Sequence, residues 1–434
     1  MNPNVILITS HDLGRFLGIY GRDIETPELD QLGKDGVVFD NHFATAPQCS
    51  PSRGSLMTGK YPHNNGLIGL AHEGYGWELD ESEKTIPDYL GEAGYETHLF
   101  GLQHESEDPK SLGYEFVHGP GTGARRAKPT TEDLLGFLDE REESSEDRPF
   151  FASVGFFEPH RPYGMEEYDN PDPAEVTPLP FLPDKPEIRE DLSGLYGMIY
   201  RVDESVGKIR DKLGETGLEE ETLLVFTVDH GIAMPRAKGT CYDPGVGVAF
   251  LMYKPGEFSG GKRYKKLTSH VDFLPFLLNY LNQDIPEELD GRSFLPALKG
   301  EEYEERDYLF HEITWHDKYN PIRAIRTNRF KYIKNFVDSP RVYLPADVYD
   351  SPSGRVTRED FYRGERPKEE LYDLTSDPLE QENLADDPDH DLVKNRLQEV
   401  LEKWMTDTDD PLLDPPVPPT EEQRRTLEGD DLDN

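Results

Sequence analysis

The chain has 434 residues, with 46 Lys and Arg against 87 Asp and Glu, and a formal net charge of -41. That length suits two or three domains, or one large α/β domain with an appendage, and it can bury a substantial core. The charge repels nucleic acid and anionic membrane and argues against both as partners. The 21 Phe and 22 Tyr argue against wholesale disorder. No run approaches the ~18 apolar residues that span a bilayer. The N-terminus lacks the basic and apolar regions of a signal peptide, so a soluble, cytoplasmic protein is expected. Two cysteines, Cys49 and Cys241, exclude a disulfide scaffold. Acidic residues exceed basic ones along the whole chain. An ordinary acidic protein and one adapted to high salt, where self-repulsion is screened, both remain open.

The first element is the apolar run Asn4 to Ser10, which reads as a buried parallel strand ending at His11-Asp12. Thr26 to Gly36 has helix spacing, with Thr as cap and Pro in the first turn. Ser55 to Gly59 looks helical, and Thr85 to Ala93 repeats the cap-then-Pro signature. Tyr95 to Phe100, Pro149 to Phe157 and Leu223 to Val228 read as further strands. A helix spans Leu192 to Leu213, after a Pro-rich surface loop from Pro162 to Pro186. Strands alternating with helices imply a largely parallel sheet covered on both faces.

The composition changes near Gly300. Beyond it, His311-Glu312 begins a strand-like segment, followed by Ile322 to Thr327, Phe330 to Phe336 and Leu371 to Leu374. A helix covers Leu392 to Met405. The expected division is a catalytic unit over 1–300, a small α+β unit over 301–410, and an extended acidic, Pro-rich tail over 411–434.

Four strand ends deliver polar residues: His11-Asp12, Gln103-His104, His160-Arg161 and Asp229-His230. In a parallel sheet such ends converge on one edge. One His after a strand is usually a loop residue, but four such ends in one chain point to a site. The strongest segment is Cys49-Ser50-Pro51-Ser52-Arg53, followed by Leu56-Met57-Thr58-Gly59. It resembles the signature of type I sulfatases, members of the alkaline phosphatase superfamily. The stretches RPFFASVGFFEPHRP, VDHGIAMPRAKGTCYDPG, HEITW and ELYDLTSDPLEQENLA look most like the heparan N-sulfatase (sulfamidase) branch and its bacterial relatives.

The resemblance implies an alkaline-phosphatase-like α/β domain and a small C-terminal domain with a four-stranded antiparallel sheet. It implies hydrolysis of sulfate esters or sulfamates of a sulfated carbohydrate. The nucleophile would be formylglycine, made from Cys49 by a formylglycine-generating enzyme. One divalent metal, calcium in the family, would bind Asp12, Asp229, His230 and residue 49, with His11 as a possible fifth ligand. Arg53 would face the same way one helical turn on. His104 and His160 would work on the nucleophile and the leaving group, and Lys238 would bind sulfate. Gln103, His311, Glu312 and Arg323 are candidate substrate contacts, with His72 a similar one. A homo-oligomer is compatible with the sequence.

Three departures stand out. His11-Asp12 replaces the family's Asp-Asp, and Asp229-His230 replaces Asp-Asn. Imidazole ligands shift the expected metal from calcium toward manganese or zinc. The Gly-Lys-x-His segment reads Gly101-Leu102-Gln103-His104, so its lysine is missing and Gln103 is the candidate neutral replacement. The Asp-His pair also keeps a phosphonate or phosphate ester hydrolase on the same scaffold as an alternative. The missing lysine leaves a third reading, a non-catalytic binding protein.

Overall fold

The computed structural model describes residues 2–72, 74–119, 125–143 and 148–430. In chain order the strands are β1 (Asn4–Ser10), β2 (Val37–Phe39), β3 (His42–Phe43), β4 (Glu96–Gly101), β5 (Phe116–His118), β6 (Phe150–Gly155) and β7 (Thr222–Val228). They continue with β8 (Phe250–Tyr253), β9 (Lys262–Tyr264), β10 (Thr268–Ser269), β11 (Leu309–Trp315), β12 (Tyr319–Arg326), β13 (Phe330–Asn335) and β14 (Glu369–Asp373). Eight of them form one sheet in the order β5-β4-β6-β1-β7-β8-β2-β9. Only β8 runs antiparallel to its neighbours. Strands β11 to β14 make a separate antiparallel sheet, and β3 pairs with β10. The expected α/β architecture with a second, antiparallel sheet is the one observed.

The large sheet is buried on both faces, which is why β1 and β7 read as continuous apolar runs. Successive side chains alternate between faces. Val5 and Leu7 join Ile86, Leu90 and Phe273 on one side. Ile6 and Ile8 meet Leu192, Ile199 and Val202 of the Pro186–Glu215 helix on the other. The small sheet packs Ile325, Tyr332 and Leu371 against Leu397, Leu401 and Trp404 of the Asp391–Asp407 helix. No helix among the described residues is long and apolar enough to cross a membrane.

The tail departs from expectation. It carries a helix, Glu421–Asp430, rather than an extended segment. Thr420 caps it by accepting the Gln423 N–H at 3.0 Å. The fully buried Gln423 side chain accepts from the Trp77 indole and donates to the His316 carbonyl, each at 2.6 Å. Thr-Glu-Glu-Gln is a capping-box pattern, so the signal was present beneath the acidic composition. Residues 431–434 of the expected tail lie outside the described residues.

Candidate active site

Strands β4, β6, β1 and β7 are adjacent and mutually parallel, so their carboxyl ends line up on one edge. This brings His104, His160, His11-Asp12 and Asp229-His230 together. Gly155 allows it locally, because a Cβ there would lie 1.8 Å from the Leu102 carbonyl oxygen. The chain leaving β4 can therefore cross close over β6. Asp12 adopts φ 45°, a left-handed conformation that Asp tolerates better than most residues.

The Cys49–Thr58 helix is buried along its whole length and is stitched to the end of β7. The Ser52 hydroxyl donates to the Asp229 carbonyl, and Arg53 Nε donates to Asp229 Oδ2 at 3.0 Å. Cys49, one turn earlier, thus points at the carboxylates, with its Sγ 3.5 Å from His230 Nε2. His230 Nε2 also lies 2.8 Å from Asp12 Oδ1. His11 Nδ1 lies 2.9 Å from Asp12 Oδ1 and 3.1 Å from Asp229 Oδ2. One ligand atom from each of His11, Asp12, Cys49, Asp229 and His230 falls within 4.8 Å of all the others.

Charge balance explains the ionisation of these buried groups. Burial disfavours a charged imidazole, but Asp229, Cys49 and Asp12 outweigh it and push His11 up to about 9. Burial also opposes ionisation of the Cys49 thiol, yet His11 and Lys238 hold it well below its ordinary value. His104 lacks enough compensation, and burial pulls it down to about 4. Its Nδ1 stands 3.2 Å from His11 Nε2.

Lys238 Nζ bridges Asp12 Oδ2 at 2.9 Å and Asp347 Oδ2 at 2.8 Å. His160 donates from Nδ1 to the Arg161 carbonyl at 2.7 Å, leaving Nε2 toward Asp12 Oδ2 at 3.9 Å. Its side chain is 23% exposed, so this ring faces the cleft. Arg53 Nη2 is buried without a hydrogen-bond partner. His72 is exposed, with its ring 5.5 Å from that of His104.

Four expected substrate contacts do not belong to this cluster. Gln103 is turned inward. Its amide donates to the Ser106 carbonyl at 2.6 Å and accepts from Glu105 and Ser106 N–H groups, closing the turn that carries His104. It therefore does not replace the missing lysine, and Leu102 is buried. His311 is fully buried and donates to the Ala44 carbonyl at 2.8 Å. Glu312 is buried against His63. Arg323 is fully buried in a bidentate pair with Asp410. His311 and Glu312 lie on β11 and Arg323 on β12, and these strands of the small sheet bury all three. Asp347, in the turn Ala346–Tyr349, joins the site without a motif that marks it.

Comparison with known proteins agrees with this geometry. A family model described as Sulfatase matches residues 3–283, and one described as N-sulphoglucosamine sulphohydrolase, C-terminal, matches residues 236–355. An ulvan-active sulfatase of Formosa agariphila is 30% identical, covering 93% of this chain and 80% of that protein. Human N-sulphoglucosamine sulphohydrolase is 29% identical, over 94% and 91%. Among solved structures, a 2-O glycosaminoglycan sulfatase superposes with a TM-score of 0.75 at 23% identity, covering 98% of this chain and 96% of that one. A protein in complex with its substrate D-glucosamine-2-N,6-O-disulfate gives 0.74 at 17% identity, over 95% and 99%. With the family model spanning most of the chain, and cysteine, arginine and carboxylates gathered at one sheet edge, this chain belongs to the sulfatase family of sulfuric ester hydrolases.

Proposed function

We propose that the chain hydrolyses the sulfate ester or sulfamate of a sulfated carbohydrate, with formylglycine at position 49 and one divalent metal. The carrying observation is the convergence of Cys49 with Asp12, Asp229, His11 and His230 in one buried cluster. The donor set fits a divalent ion: two fully buried carboxylates would repel each other without a cation, and imidazole nitrogens complete the set. Asp12, Asp229 and His230 would hold the ion, with residue 49 and His11 beside it. Two imidazoles favour manganese or zinc over calcium. When bound, the metal neutralises and aligns sulfate oxygens, and the hydrated formylglycine supplies the attacking oxygen.

The chain's own residues supply the rest. Arg53 fixes Asp229 through Nε and keeps the Nη2 donor for an oxygen of residue 49 or of sulfate. Lys238 brings positive charge to the sulfate side of Asp12. His104 accepts or returns the proton of the group at position 49. His160, oriented by its Nδ1 hydrogen bond, presents Nε2 to protonate the departing oxygen or nitrogen. A formylglycine-generating enzyme is the implied maturation partner.

The intact mass of the peptide containing Cys49 tests the modification. Paired assays with nitrophenyl sulfate and nitrophenyl phosphate test the reaction. Faster turnover of the phosphate would favour the ester hydrolase that the Asp229-His230 pair keeps as the second reading. No turnover of either would favour a binding protein.

A further inference from the structure

A cavity of about 200 Å3 lies beside the loop after β1, and none of its lining residues belongs to the metal cluster. Two arginines, Arg15 and Arg22, share its wall with Asp243 and Gly247. Arg15 is fixed in place. Its Nε donates to the Val248 carbonyl at 3.3 Å and its Nη2 to the His42 carbonyl at 2.6 Å. Its Cζ lies 4.3 Å from the centre of the Phe43 ring. Gly247 makes room for it, since a Cβ there would come within 3.3 Å of the guanidinium carbon. The remaining nitrogen, Nη1, has no hydrogen-bond partner among the described residues and is not sealed in protein.

The cavity wall has an excess of positive charge. Burial pulls the Arg15 guanidinium down to about 10, more than Asp243 restores, so this cation is short of counter-charge. Asp243 is already committed elsewhere. Arg326 holds it through two bonds of 3.0 Å, and Lys331 through one of 2.6 Å. Arg22 is exposed, with its Cζ 5.7 Å from the Phe16 ring, and makes no ion pair among the described residues. Two uncompensated guanidiniums thus face one small cavity in a chain of net charge -41. The volume is below the ~300 Å3 at which sites for larger organic ligands begin. A tetrahedral oxyanion fits such a space, and its oxygens match the guanidinium fork.

We propose that this cavity is an anion site, separate from the catalytic cluster, that takes a free tetrahedral oxyanion, sulfate or phosphate, between Arg15 and Arg22. Arg15 supplies a preorganised donor, and Arg22 completes the clamp from the solvent side. The site stands on its own charge and size and does not depend on the sulfatase reading.

Selenate, an isostere of sulfate that carries an anomalous scatterer, locates the ion. Wild-type crystals soaked in selenate should show an anomalous peak between Arg15 and Arg22, distinct from any peak at the Cys49 cluster. Calorimetric titrations with sodium sulfate and with sodium phosphate, each in a chloride background of constant ionic strength, measure binding in solution, and the tighter of the two identifies the ion. Arg22 is exposed, so Arg22→Gln should fold with an unchanged melting temperature in chloride, and it should weaken that binding about tenfold or more. Arg22→Lys keeps the charge without the fork and should fall between. The absence of a selenate peak in the cavity overturns the proposal. So does a peak there with identical titrations of the wild type and Arg22→Gln, which is binding at crystal concentration only.

Discussion

The backbone N–H of Asp12 donates to Oδ1 of Asp229 at 2.9 Å, joining the ends of neighbouring strands β1 and β7. Asp12 has a left-handed φ of 45°, and the bond holds two buried carboxylates side by side. Asn also tolerates that conformation. Asp12→Asn should therefore keep the fold and lose the charge. The expected result is reduced metal content in elemental analysis and a fall in turnover of about 100-fold or more. Chelation of the wild-type enzyme should inactivate it similarly. Full metal content with full activity in the variant would remove Asp12 from the ligand set.

Cys49 begins a helix whose every residue is buried, and its thiol lies 3.5 Å from His230 Nε2. An unmodified thiol lacks the second hydroxyl through which a hydrated aldehyde expels sulfate. Cys49→Ala should abolish turnover while the melting temperature changes little, since one small atom is removed from a polar site. Substantial activity in the alanine variant would end the formylglycine reading.

Much of this site was legible because parallel strands announce their ends. Continuous apolar runs stop at polar residues, and adjacency of β4, β6, β1 and β7 does the rest. The Cys49 segment carried its own motif. The misplaced residues had a different character. Arg323 and His311 look like ligands in a sequence, yet their partners, Asp410 and the Ala44 carbonyl, are 87 and 267 residues away. Gln103 failed for the opposite reason, since its partners, Glu105 and Ser106, lie only two and three positions on. Asp347 is invisible to pattern because its role depends on Lys238, over a hundred positions earlier.

Arg323 gives a prediction that separates structure from substrate binding. Removing one member of a buried ion pair leaves an uncompensated charge and costs about 3–5 kcal/mol. Arg323→Met should lower unfolding free energy on that scale and leave KM of the folded enzyme unchanged. The double variant Arg323→Met/Asp410→Leu should recover much of the loss. A raised KM with normal stability would return Arg323 to the substrate site.

His311 should contribute to acid sensitivity. Burial pushes its imidazole down from 6.5 to about 3, so the folded chain holds it neutral. The unfolded chain binds a proton from about pH 6.5 downward. This group therefore favours folding fully above pH 6.5, and that contribution is lost as pH falls toward 3. In His311→Gln the melting temperature should decline less steeply from pH 6.5 to 4 than in the wild type. Parallel curves would show that other groups set the acid limb.

His160 makes the most discriminating test. Its ring is held by the Arg161 carbonyl, as a structural residue would be, but Nε2 is turned toward Asp12 and the cleft. A proton donor matters most when the leaving group is poor, as a sugar alcohol or amine is. A nitrophenolate leaves with little help. His160→Ala should therefore slow hydrolysis of a sulfated sugar by about 100-fold or more, and of nitrophenyl sulfate far less. If the ring only orders the loop, both substrates should suffer alike, and the melting temperature should fall with them. Measuring the two rates and the melting curve on one variant separates these roles. Equal losses on both substrates would take His160 off the catalytic list.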